Sequence, residues 1–464
     1  MRYSLSNSVA HLGRLQRNFG SLLGRVLACL VVTVIYSLPT LVPVELGGTA
    51  LAQEEEKDKD APMRGRQTQA LSKKVYEVIT AANELVDVED YNGARALLDK
   101  MDKSKFTSYE TAQVNNFYGF LYYNAEDYPR AIKAYETVLE QPELPEALVQ
   151  GTLRTLAQLY FVEEKFDKSI QYSERYNREF GEDPELLALI GTAYYQKEQP
   201  AKIVAPIERA IQIARERGTT VKEQWWLLLR VAYWEQDNYK KVKEILEILV
   251  VNWPKKEYWT QLSGIYYELK DEPRQLAAYE AAYDQGLLSS NGELVQMAQL
   301  FLQAEVPYKG AKVLEAGLES GKVERNVRNL RLLSQAYQLA REDSKAISPL
   351  REAAGLSDDG DLYARLASSY LNLNQYNDCI DAAKQALAKG GLKDTGNAYL
   401  VKGMCEFDSK KLSASKTSFV NAAKYDKTKK YADQWLQFVK NEEDRIAQIN
   451  KSLQRVRQTQ AEAS

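Results

Sequence analysis

A pattern of small and aromatic residues recurs about every 36 residues from Ala82 to Gly403, and repetition on that scale leaves very few folds open. The clearest copy lies in FYGFLYYNAEDYPRAIKAYETVL, with Gly119, Tyr122, Tyr128, Ala131 and Tyr135 in register. Aligning the small residue of each first apolar segment gives Ala82, Gly119, Ala157, Gly191, Arg230, Ser263, Gln299, Ser334, Ala367 and Gly403. The matching positions of the second segments are Ala94, Ala131, Ser169, Ile203, Val242, Gln275, Ala311, Ala346, Cys379 and Ser415. Units of this length cannot bury an apolar face alone, so they stack on their neighbours. Function is then expected on a long surface.

Around these positions the apolar residues keep helical spacing, as in Leu153, Leu156 and Leu159, and no run alternates strictly between apolar and polar. An all-α chain follows. Two helices approach closely only where side chains are small, so each pair of small positions predicts the crossing within one repeat. At Arg230 and Gln299 the small residue is replaced, and a wider crossing is expected there.

The pattern resembles the tetratricopeptide repeat (TPR), whose first helix carries a Trp-Leu-Gly-Tyr signature and whose second carries Ala-Phe/Tyr-Ala. The resemblance covers roughly residues 71–440. It implies a right-handed superhelical solenoid of about ten helix-turn-helix repeats, followed by a C-terminal helical cap and tail over residues 441–464. The stretches QTQALSKKVYEVI, EYWTQLSGIYYEL, VPYKGAKVLEAGLESG and GGLKDTGNAYLVKGM are in addition similar to one group. These are periplasmic TPR proteins of marine gammaproteobacteria encoded beside TonB-type energy-transduction components. That similarity implies support of active transport across the outer membrane, with TonB-type components among the partners.

Residues 1–52 read as a signal peptide. Arg2, Arg14, Arg17 and Arg25 precede the apolar run Val26–Leu38, and Ala50-Leu51-Ala52 offers a cleavage site before Gln53. The alternative is an uncleaved inner-membrane anchor, since Val26–Val44 nearly reaches the length that spans a bilayer. Either way residues 53–464 are expected in the periplasm. Residues 53–70, rich in Glu, Asp and Lys, read as a disordered tether. The whole chain has 61 Lys and Arg against 64 Asp and Glu, of which four and one lie in residues 1–52, leaving a net of −6 on the remainder. Cations are scattered, which speaks against nucleic-acid binding.

Chemistry is nearly absent from the sequence. The one histidine is His11, inside the targeting segment, so Ser-His-Asp and Cys-His catalysis and His-containing zinc sites are excluded from the mature chain. No glycine-rich phosphate loop occurs. We expect no enzyme, no cofactor and no metal. Cys379 sits at the small position of the ninth repeat and Cys405 on the first helix of the tenth. They read as two thiols packed as small apolar side chains, or as a disulfide in an oxidising compartment.

The candidate working surface lies one residue after the repeated tyrosine, where the resemblance places the groove lined by first helices. That position holds Tyr123, Phe161, Tyr195, Trp234 and Tyr267, then Gln303, Gln338 and Leu371. Exposed rings give large contact area at small entropic cost, which suits capture of a peptide or a partner's helix. Asn116, Arg154 and Gln158 are expected beside them as donors to a ligand backbone. The Lys-plus-Asn carboxylate clamp of chaperone-associated TPR proteins is not matched, because those positions hold Asn116 and Phe120, then Arg154 and Gln158. The competing reading is that each second ring only packs between repeats. The function expected is a periplasmic protein-binding scaffold in TonB-dependent uptake. The alternatives are an adaptor for envelope or cell-wall assembly and a glycan binder whose rings stack on sugars.

Overall fold

A computed structural model describes residues 70–462 of the chain. The stretch read as a signal peptide and most of that read as a tether lie outside these residues. The described part contains helices and turns and no strand. It divides between Glu182 and Asp183 into two compact units.

The first unit holds three helix pairs: α1 (Lys73–Asp87) with α2 (Tyr91–Asp99), α3 (Ser108–Asn124) with α4 (Tyr128–Leu139), and α5 (Glu146–Val162) with α6 (Phe166–Phe180). The second unit holds seven. They are α7 (Pro184–Gln196) with α8 (Pro200–Glu216), α9 (Glu223–Trp234) with α10 (Tyr239–Asn252), α11 (Lys256–Glu268) with α12 (Glu272–Asp284), and α13 (Asn291–Gln303) with α14 (Pro307–Glu319). The remaining three are α15 (Val327–Leu339) with α16 (Asp343–Leu356), α17 (Asp361–Asn372) with α18 (Tyr376–Lys389), and α19 (Thr395–Asp408) with α20 (Leu412–Ala422). A single long helix, α21 (Asp426–Glu462), follows the last pair.

Each pair turns through one left-handed residue. Glu89, Glu126, Glu164, Glu198, Asp237, Lys270, Glu305, Arg341, Asn374 and Lys410 all have positive φ. None is glycine. The backbone nevertheless closes as glycine-ended helices do: the Asp90 N–H reaches back to the Leu85 carbonyl at 2.8 Å, and the Asp127 N–H to that of Tyr122 at 2.8 Å. The next helix is started by a side chain of the same turn, Asp90 accepting from the Gly93 N–H and Asp127 from the Arg130 N–H.

These turns fix the register. In every repeat the small residue of the first helix lies seven residues before the left-handed residue, and that of the second helix five after it. The rule corrects the seventh repeat, where the crossing residues are Ala298 and Gly310 in place of Gln299 and Ala311. Ala298 is fully buried, Gln299 is exposed, and a Cβ on Gly310 would come within 2.9 Å of the Ala298 carbonyl oxygen. Gly119 is equally constrained, since its Cβ would stand 2.6 Å from the Tyr135 ring. Three of the four crossing serines donate to the facing carbonyl, Ser169 to Ala157 at 2.7 Å, Ser263 to Gln275 at 2.9 Å and Ser334 to Ala346 at 3.0 Å, while the buried Ser415 hydroxyl makes no such bond.

Arg230 at the crossing of α9 and α10 is accommodated differently. Its guanidinium leaves the pair and donates to the side-chain oxygen of Gln261 on α11. At the C-terminal end, Ala432, Trp435 and Val439 of α21 pack on Phe419 and Ala422 and close the last pair.

Candidate functional site

First helices of successive repeats stand side by side in the second unit. The Gln338 amide on α15 donates to Ser369 on α17 at 3.2 Å, and the Asn329 amide on α15 to Asn291 on α13 at 3.0 Å. Lys255 and Lys256 reach Glu223 and Glu293 of the neighbouring repeats at 2.7 and 3.0 Å. The wall so formed presents the position four residues after each small one, where the aromatic ladder lies.

The ladder divides between the units, and its members differ. In the first unit Tyr123 is half-buried and tilted against Tyr128 at 6.0 Å between ring centroids. Phe161 is buried, edge-on to Phe166 at 5.4 Å. It therefore packs within its own repeat and offers no free ring, contrary to the expectation of an exposed groove residue. Asn116 on α3 is half-buried. Arg154 and Gln158 lie one turn apart on α5, both half-buried, with the Arg154 guanidinium 5.3 Å over the Tyr176 ring.

In the second unit the rings open to solvent. Trp234 is 36% exposed and Tyr267 45%, while Tyr195 is half-buried. Trp234 is held edge-on by Tyr239 at 5.7 Å, so its orientation is set by packing. In the seventh repeat the corrected register gives Leu302 at this position, and Gln303 leaves the series. Arg230 stands behind the rings. It is 6% exposed and hydrogen-bonds the neutral Gln261. Burial lowers its pKa, opposed by the nearby phenols of Tyr258 and Tyr195, and an arginine stays protonated regardless. Burial likewise raises the Tyr195 pKa, Glu235 adding to the shift and Arg230 opposing it. A buried cation held by neutral groups carries a desolvation cost that an approaching anion relieves.

Most of the tyrosines preceding the ladder face inward. Tyr160, Tyr233 and Tyr266 are buried, and their phenols donate to Glu136, Glu208 and Glu247 at 2.6, 2.7 and 2.7 Å. Tyr194 is only half-buried, with the Lys202 ammonium 5.4 Å from its ring.

The repeat length, the left-handed turn and the small-residue crossing decide the fold. It is a tetratricopeptide-repeat solenoid. The chain matches no family model and no curated protein. Among solved structures it is similar to a tetratricopeptide repeat protein from Parabacteroides merdae, at 13% identity and a TM-score of 0.34 over 64% of this chain and 99% of that one. It is similar also to the TPR2AB domain of yeast Sti1, at 16% identity and a TM-score of 0.33 over 56% of this chain and 98% of that one. A third is the C-terminal part of a TPR protein from Cytophaga hutchinsonii, at 16% identity and a TM-score of 0.34 over 60% and 95%. At such identities the partners of those proteins say nothing of this one, whose binding face rests on its own residues.

The two cysteines are joined. Cys379 on α18 and Cys405 on α19 form a disulfide with their Cα atoms 6.3 Å apart. This replaces the reading of two free thiols. The bridge ties the second helix of the ninth repeat to the first helix of the tenth, both cysteines being buried.

Proposed function

We propose that this chain is an extracytoplasmic scaffold that captures a protein partner on the first-helix wall of its second unit. The observation that carries the reading is the pair Trp234 and Tyr267, two large rings left open to solvent at equivalent positions of consecutive repeats. Rings of this size, held rigid by the solenoid, present apolar area with little entropy left to lose on binding. Tyr195 and the buried Arg230 flank them and favour a partner segment bearing a carboxylate. The disulfide supports an oxidising compartment, as does the arginine-flanked apolar run that ends at Leu38. Within that compartment the sequence similarity favours an accessory role in TonB-dependent outer-membrane transport. The chain would scaffold or regulate the energy-transducing components.

The test is crosslinking in living cells followed by mass spectrometry, comparing the native chain with Trp234→Ala/Tyr267→Ala. Both rings are exposed, so the melting temperature should stay within about 1 °C per ring of the native value. Aromatic anchors commonly contribute ~1–4 kcal/mol each at interfaces, so the recovered partner should fall at least tenfold. Undiminished crosslinking would remove this wall as the binding face. Recovery of cytosolic proteins alone would remove the extracytoplasmic reading.

A further inference from the structure

Helix α21 continues past the repeat it closes. Its apolar contacts with α20 end at Val439, yet the helix runs on to Glu462. Over that extension Ile446, Ile449, Leu453 and Val456 are 36, 43, 51 and 53% exposed. Their spacing of three, four and three residues extends the series Ala432, Trp435, Val439 and Glu442 without a break, a seven-residue repeat along one edge of the helix. Half of the seam is covered by the solenoid and the other half by nothing among the described residues.

A stripe two positions wide suits a second helix. A lipid surface or a globular neighbour would call for a broader apolar face. We infer that the extension of α21 pairs with the same segment of a second copy of this chain, as an antiparallel two-helix coiled coil.

Charge selects that occupant and that direction. Opposing Ile446 to Val456 of the second copy, and Ile449 to Leu453, places Glu443 against Arg457 of the second copy and Arg457 against its Glu443. Two-fold symmetry produces both ion pairs at once. A parallel pairing would set Arg445 beside Asn450 and Ser452 beside Arg457, with no ion pair. Lys451 and Arg455 fall on the outer face in the antiparallel arrangement, away from the like charges of the other copy. Glu443 also pairs with Lys416 of its own chain at 3.0 Å, and at the edge of the seam one carboxylate can accept from both cations. Because α21 is anchored at its N-terminal end, the extension is already helical before association, which removes the ordering cost that a free peptide of this length would meet.

Sedimentation of the full chain over a thousandfold concentration range tests this. The native chain should pass from monomer to dimer. Ile449→Asp/Leu453→Asp should remain monomeric throughout with an unchanged melting temperature, since both residues are exposed. Arg457→Glu and Glu443→Arg should each dimerise at least tenfold more weakly, and an equimolar mixture of the two should recover the native dimerisation, because each copy then meets complementary charges. A native chain that stays monomeric would overturn the pairing, as would an Asp double variant that still dimerises. A mixture no tighter than its components would overturn the antiparallel register.

Discussion

The Tyr337 phenol donates to the Glu315 carboxylate at 2.6 Å, tying the eighth repeat to the seventh. Tyr337 lies three residues after its small crossing residue and Glu315 five after its own. The same offsets join Tyr160 to Glu136, Tyr233 to Glu208 and Tyr266 to Glu247. Where the carboxylate is replaced, the bond adapts, and in the ninth repeat the Tyr370 hydroxyl accepts from Arg351 at 3.1 Å. In these five repeats the periodic tyrosine therefore also makes an inter-repeat bond. Burial raises the pKa of Tyr160, Tyr233, Tyr266 and Tyr337, and the carboxylates they bond add to the shift, to about 12 for Tyr266.

Hydrogen bonds to charged groups contribute about 1.5–3 kcal/mol each. Tyr337→Phe should therefore lower stability by about 2 kcal/mol, leaving the ring packing intact. Glu315→Gln should cost less, since its amide oxygen still accepts. A double-mutant cycle with Glu315→Ala in denaturant should return a coupling above about 1 kcal/mol. Strict additivity would mean that the bond is broken in solution.

The left-handed turns are a reserve of stability. A non-glycine residue in that conformation costs roughly 1–2 kcal/mol relative to glycine, partly offset by glycine's freedom in the unfolded chain. At φ 59°, Glu305→Gly should raise the unfolding midpoint, with a net gain below about 1 kcal/mol. Glu342→Gly, at the next position of the eighth-repeat turn with φ −98°, should lower it. Equal effects of the two substitutions would contradict the turn geometry.

Two glycines of the first unit separate crossing from surface. Gly119→Leu forces a side chain into the Tyr135 ring and should cost about 3 kcal/mol. A Cβ on Gly151 of α5 would meet nothing within 4 Å, so Gly151→Leu should be neutral or stabilising by up to ~1 kcal/mol through helix propensity. Thermal melts of the two leucine variants decide the matter.

Acid should loosen the seventh repeat. Burial alone would raise the Glu293 pKa, but the N–H groups of Ser290 and Ser289 and the Lys256 ammonium outweigh it and hold it at about 2. A carboxylate depressed on folding stabilises the native state above its unfolded pKa, and that stabilisation is lost as pH falls through the folded value. The loss belongs between about pH 4.5 and pH 2. Glu293→Gln should be less stable than the native chain at pH 7, by about 1 kcal/mol, and should show a flatter decline across that window. A parallel decline would assign the acid sensitivity elsewhere.

The helix pairs and nine of the ten crossings are legible in the sequence because they rest on residue size at a fixed period, which a sequence displays directly. The seventh crossing falls one place away from its apparent position. Gln299 and Ala311 keep the spacing nearly as well as Ala298 and Gly310 do, and only the turn at Glu305 discriminates. Phe161 escapes the pattern because the ladder position alone does not set exposure: Phe161 and Trp234 both stand edge-on to the ring five residues on, yet the first is buried and the second is open to solvent. The reach of Arg230 to Gln261 joins neighbouring repeats through an arginine that no other repeat carries at its crossing, so no periodic signal announces it. The seam of α21 is hidden by the charged run Asn441–Arg445, which resembles ordinary surface until the helix proves continuous.

Reducing the disulfide should loosen one end of the chain and leave the rest. Cys379 and Cys405 are separated by 26 residues, and closing a loop of that size stabilises by about 3 kcal/mol on the chain-entropy account. Stacked repeats contact mainly their neighbours, so the effect should stay local. Hydrogen exchange after treatment with a thiol reductant should quicken in α18 to α21 and be unchanged in α9 to α13, leaving the capture proposed at Trp234 and Tyr267 intact. Cys379→Ala/Cys405→Ala should reproduce this in the absence of reductant. Uniform acceleration over the whole second unit would show instead that its repeats unfold together, and the bridge would then hold a single cooperative block.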